Sequence, residues 1–89
     1  MCKMRILHLV LKRCWYDMIE RGEKTEEYRE VKPYWIRRIG ITDAVIFHCG
    51  YTNRTMTFEC RSISIGKGRK EWGAPNDDVY IIKLGKRIE

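Results

Sequence analysis

Between Gly22 and Arg29 the chain brings a primary amine (Lys24), a guanidinium (Arg29) and the carboxylates of Glu26 and Glu27 into one short stretch. Those types at that spacing suit two kinds of chemistry. A net-positive, partly desolvated cleft holding Lys24, Glu27 and Arg29 would attract a phosphate or an electron-rich carbonyl, with Arg29 making a two-pronged contact and Lys24 acting as a point charge. Burial beside a second cation also lowers a lysine pKa, which would let Lys24 take a proton from water. A purely structural role competes with both: Glu27 would pair with Lys24 or Arg29 and tie the strand to its neighbours.

Which of these side chains meet depends on the backbone. Read as a strand from Thr25, the stretch puts Thr25, Glu27 and Arg29 on one face and Glu26 and Tyr28 on the other. Charge on both faces excludes an apolar core and leaves either an exposed sheet edge or the wall of a polar cleft; the cleft is the expectation. Just before it, Trp15, Met18 and Ile19 fall at helical spacing. They predict an amphipathic helix over Lys12 to Arg21, closed by Gly22 as the left-handed residue past the last turn. That turn would project Lys24 at the start of the strand.

The other elements frame this stretch. Ile6 to Leu11 predicts a first strand with Leu7, Leu9 and Leu11 on one face. His8, on the opposite face, is read as hydrogen-bonded or half-exposed and is given no role. Pro33 and Gly40 bracket a second short helix with Trp35, Ile36 and Ile39 as its apolar side. Tyr34, Arg37 and Arg38 are then left for solvent or ligand, and aromatic and guanidinium planes are surfaces on which single-stranded bases stack. Strands at Asp43 to Cys49 and Thr55 to Ile65 are joined by turn residues from Gly50 to Arg54. In the second of these the apolar parity changes after Cys60, which predicts a bulge near Arg61 or Ser62. Gly66 to Asp78 predicts a loop offering Lys67, Arg69, Lys70, Glu71 and Trp72, and Val79 to Leu84 a last, central strand.

Eighty-nine residues make one domain, residues 1–89, and 18 basic against 12 acidic side chains give a net charge of +6. A polyanionic partner and a merely solubilising surface both fit that sign, and salt dependence separates them. Cys2, Cys14, Cys49 and Cys60 form no C-x-x-C pair, so no metal and no cofactor is expected. The apolar run from Ile6 to Leu11 is too short for a secretory leader and far short of the about 20 apolar residues of a membrane helix. The thiols are accordingly read as reduced, in the cytoplasm, with no membrane partner.

Gly22, Lys24, Glu27 and Arg29 also match the pattern G-x-K-x-x-E-x-R. With the helix before it and the length of the chain, the stretch resembles the signature of ASCH domains, and the resemblance covers nearly the whole sequence. It implies an α+β fold, a small PUA-like β-barrel of about five strands flanked by one or two short helices.

Two functions follow from the resemblance. One is binding of RNA or a modified nucleoside in a cleft built on Lys24, Glu27 and Arg29, with Lys24, Arg29, Arg37 and Arg38 meeting phosphates or base edges and Tyr34 or Trp72 as stacking surfaces. The other is hydrolysis, since some small ASCH proteins deacetylate N4-acetylcytidine and others are assigned ribonuclease activity. Lys24 would then activate water, Glu71 (or Glu59 as second candidate) would shuttle a proton to the leaving group, and Arg29 would stabilise developing negative charge. In the amidohydrolase branch a threonine stands where this chain has Glu27, and Thr25 is the nearest hydroxyl. A protein-interaction domain with a structural cleft is a third reading, and the oligomeric state is left open.

Overall fold

The alternating run near the start forms β1 (Ile6–Leu11), which buries Leu7, Leu9 and Leu11 as a period of two requires. It belongs to a computed structural model that describes residues 4–89, so Cys2 lies outside the described residues. After β1 come α1 (Arg13–Glu20), β2 (Glu26–Glu30), α2 (Pro33–Arg38), β3 (Ala44–Cys49) and β4 (Thr55–Gly66). A single 3₁₀ turn at Lys70–Trp72 and β5 (Val79–Arg87) complete the chain.

The strands form one sheet in the order β1-β3-β4-β5-β2. β1 and β3 are parallel and every other pairing is antiparallel. Parallel neighbours need a long crossover, and α1, β2 and α2 supply it. The result places the charged strand β2 at one end of the sheet and β1 at the other. Even so, Arg29 on β2 donates from Nη2 to the Val10 carbonyl on β1 at 3.2 Å. The sheet is therefore curled into a half-barrel, and Arg29 bridges its open seam. The expected α+β class, five strands and two short helices are all present.

The core lies inside the curl. Leu7, Leu9 and Leu11 pack with Tyr16 and Ile19 of α1, Val45 and Phe47 of β3, Met56 of β4 and Ile82 of β5. β4 turns a corner: its first half pairs with β3 and its second with β5, and the register slips between Phe58 and Cys60 and again between Cys60 and Ser62. The predicted bulge falls in this region, where the apolar parity changes. β5 is paired on both sides, as its continuous apolar run implies, and runs on to Arg87.

The helices depart from expectation in detail. In α1 the fully buried residues are Tyr16 and Ile19, while Trp15 and Met18 are only half-buried. α2 stops at Arg38, and Ile39 is already extended. The helical step that would set Ile36 beside Ile39 never forms, so Ile39 is buried and Ile36 stays exposed. Gly40 does not take the left-handed conformation expected of a closing residue. Among the described residues no helix is long and apolar enough to cross a membrane.

Candidate functional site

Gly22 adopts φ +81°, the left-handed conformation that only glycine takes without strain. Its N–H donates to the Ile19 carbonyl at 3.0 Å and the Glu23 N–H to the Met18 carbonyl at 2.9 Å, the paired bonds of a glycine-closed helix end. The Lys24 N–H donates to the same Met18 carbonyl at 3.1 Å. Folding the chain back over the helix end in this way turns Lys24 inward, and its side chain is 0% exposed.

The buried ammonium is met at once by β2. Lys24 Nζ donates to the Glu26 carbonyl at 2.6 Å and to Glu27 Oε1 at 2.7 Å. The other carboxylate oxygen, Glu27 Oε2, accepts from Arg29 Nη2 at 2.7 Å. Glu27 is thus shared between two cations, one per oxygen. The rings of Tyr28 and Trp15 lie 5.1 and 5.9 Å from Nζ and add a face-on attraction. Burial pushes the Lys24 pKa below its ordinary 10.5, the Glu27 charge and hydrogen bond oppose that fall, and Arg29 adds to it.

Tyr28 secures the long loop. Its hydroxyl donates to Glu26 Oε1 at 2.8 Å and accepts from the Arg69 N–H at 3.0 Å. Burial above all pushes its pKa up to about 12. The loop can lie this close because Gly68 has no side chain: a Cβ there would fall 2.6 Å from Ala74 Cβ and 2.7 Å from the Tyr28 ring. Gly68→Ala is therefore expected to push the loop off Tyr28 and cost about 1–3 kcal/mol, read from the urea midpoint, with a change in near-UV dichroism.

The two shifts work against each other in alkali. Between the lowered Lys24 value and pH 10.5 the unfolded chain holds a proton that the folded chain has released, so stability rises with pH. Between pH 10.0 and about 12 the folded chain keeps the Tyr28 proton that the unfolded chain loses, so stability falls. Tyr16, also raised by burial, adds to that fall. Urea titrations across this range are expected to show a shallower alkaline decline in Tyr28→Phe than in the parent.

Where the end of β1, the start of α1, β2 and the loop converge, a cavity of about 300 Å³ is lined by Lys12, Trp15, Glu27, Arg29, Trp72 and Gly73, among others. A second recess of about 710 Å³ shares Tyr28, Arg29 and Gly73 with it and reaches Lys32, Trp35 and Asp77. Arg29 lies on both walls. Its guanidinium carbon is 5.2 Å from the centre of the Trp35 ring, and its Nε is buried without a hydrogen-bond partner.

No family model and no curated protein matches this chain.

Of the residues singled out in the sequence, Lys24, Glu27 and Arg29 form one contact chain, and Trp72 joins Glu27 and Arg29 on the cavity wall. Tyr34, Arg37 and Arg38 line neither recess. Arg38 folds back on α2 instead, donating from Nη1 to the Tyr34 carbonyl at 3.0 Å with its guanidinium 3.6 Å from the Tyr34 ring centre. Glu71 is exposed and, among the described residues, its side chain has no hydrogen bond or ion pair. Neighbours on a tight 3₁₀ turn diverge, so Trp72 faces the cavity while Glu71 does not line it. Glu59 lies where β4 meets β5, accepting from the Lys86 N–H at 3.2 Å. Thr25 is exposed, and its carbonyl accepts from the Leu84 N–H. Lys12 and Trp15 are cavity residues that the sequence marks only as the start and the apolar side of a helix. The available signal was their position directly after β1, Lys12 at the N-cap and Trp15 in the first turn of α1.

Proposed function

We propose that this chain is an ASCH-type domain with a PUA-like half-barrel, and that it binds RNA or a modified nucleoside in the recess beside Arg29. The observation that carries the reading is the buried, unpartnered Nε of Arg29 on a wall shared by both recesses. A buried donor left without a partner is rare in a folded protein and calls for an acceptor at that position. The surroundings suit a nucleobase. Trp15 and Trp72 offer indole faces, Glu27 offers a carboxylate for an exocyclic amine, and Lys12 brings positive charge for a phosphate. At about 300 Å³ the smaller recess matches the low end of ligand cavities, about 300–1,000 Å³. Because Lys24 is wholly buried and doubly hydrogen-bonded, its part is to hold Glu27 and Arg29 in place.

Two of the chain's three tryptophans line the recess, so binding should quench intrinsic fluorescence. Titration with cytidine, N4-acetylcytidine and a short single-stranded RNA is expected to give saturable quenching. Trp72→Ala should weaken it about 10-fold or more, since one stacked base contributes about 1–3 kcal/mol. Parental affinity of the variant for all three ligands, or no quenching of the parent by any of them, would rule the recess out as the binding site.

One observation favours hydrolysis as a second reading: burial lowers the Lys24 pKa, which raises the fraction of neutral amine able to accept a proton from water. Chromatography of N4-acetylcytidine incubated with the parent and with Lys24→Ala tests it. Cytidine formed by the parent and not by the variant establishes the amidohydrolase. No cytidine from either leaves binding as the function of the recess for this nucleoside.

A further inference from the structure

The chain has two histidines, and the fold brings them together. His8 on β1 and His48 on β3 are 40 residues apart in sequence, yet His8 Nδ1 lies 3.1 Å from His48 Nε2, with ring centroids 5.3 Å apart and planes tilted by 31°. His8 shares the outer face of β1 with the exposed Ile6 and Val10, His48 is half-buried opposite Val10, and neither histidine lines the Arg29 recesses. Parallel pairing creates the meeting: His8 is opposite Ile46 and Val10 is opposite His48, so the two imidazoles sit diagonally across adjacent strands.

We propose that His8 and His48 form a two-imidazole clamp for a borderline divalent transition ion such as Zn²⁺. Metal–nitrogen bonds of about 2.0–2.1 Å place two ligand nitrogens about 3.3 Å apart around a tetrahedral ion. In a square-planar site the same bonds place them about 2.9 Å apart. The observed 3.1 Å lies between the two values. His8 is exposed and His48 half-buried, and a small rotation of each ring would turn both lone pairs from each other onto a shared ion. Imidazole is the side-chain ligand that Zn²⁺, Ni²⁺ and Cu²⁺ favour over carboxylate alone. Among the described residues no third His, Cys, Asp or Glu joins the pair. The remaining coordination positions therefore fall to water or to an incoming ligand, which makes the ion exchangeable. Bound there, it would cross-link β1, an end strand of the sheet, to β3.

With two histidines in the chain, the test is direct on untagged protein. Zn²⁺ is titrated into ¹⁵N-labelled protein while the imidazole nitrogen resonances are followed. The expected result is that the His8 Nδ1 and His48 Nε2 signals move together, saturate at one ion per chain and accompany a rise in Tm. Either His8→Asn or His48→Asn should abolish both the saturation and the thermal shift while leaving the amide spectrum of the core intact. Histidine signals unmoved by excess Zn²⁺ would overturn the clamp. So would a single variant that still saturates with the parental midpoint, since one imidazole would then suffice.

Discussion

Glu27→Gln is expected to lower the unfolding free energy by about 3–5 kcal/mol at neutral pH, the loss typical when one partner of a buried ion pair is removed. That is a large share of the about 5–15 kcal/mol that holds a small domain folded. The reason is the sharing seen at the carboxylate. Glu27 Oε1 answers Lys24 and Oε2 answers Arg29, so one neutralised side chain strands two cations at once. Lys24 can relieve the loss by shedding its charge, and burial already favours its neutral form. The deficit should therefore shrink as pH rises, because the variant's Lys24 releases its proton still earlier than the parent's and the unfolded chain keeps it. Lys24→Met combined with Glu27→Gln should recover much of the loss, as buried ion pairs replaced together by fitting neutral groups often do. Urea titrations of the parent, single and double variants at neutral and alkaline pH measure all three effects. A loss below about 1 kcal/mol in Glu27→Gln would mean that solvent screens the group as it does a surface pair.

The same sharing explains why part of the site was legible in the sequence and part was not. A glycine after an amphipathic run and a charged run after the glycine are local signals, and they were enough to place Lys24 at a helix end and Glu27 with Arg29 on one face of a strand. Period-two alternation likewise marked β1 and β3, and the parity change after Cys60 marked the corner in β4. For β2, edge and cleft coincide: it is an end strand whose outer side becomes a recess because the sheet curls toward β1. Curling is a property of the whole sheet, so no window of residues reveals it. For the same reason Lys12 and Trp15 could not be paired with Arg29 in advance, nor His8 with His48. Tyr34, Arg37 and Arg38 are exposed, as their place on the polar side of α2 implies, and line neither recess. On this helix of under two turns Arg38 folds back onto Tyr34, a contact that residue types alone do not reveal.

Arg29→Lys is expected to separate ligand binding from folding. Lysine preserves the positive charge, so the contact with Glu27 survives in reduced form and stability should fall less than in Glu27→Gln. What lysine lacks is the planar fork. In the parent, a single nitrogen, Nη2, serves both Glu27 at 2.7 Å and the Val10 carbonyl at 3.2 Å, which leaves Nε as a buried donor facing no acceptor. A ligand oxygen or ring nitrogen reaching Nε would give this buried donor its acceptor, and a hydrogen bond to a charged group contributes about 1.5–3 kcal/mol. Removing that donor should weaken a nucleoside about 10- to 100-fold by fluorescence titration. The salt dependence of RNA binding should stay nearly as steep, because the number of cations near the phosphates is unchanged. Affinity for a nucleoside unaltered in Arg29→Lys would show that Nε plays no part in recognition. A parallel collapse of stability and affinity would instead assign Arg29 wholly to the seam, holding β2 against β1.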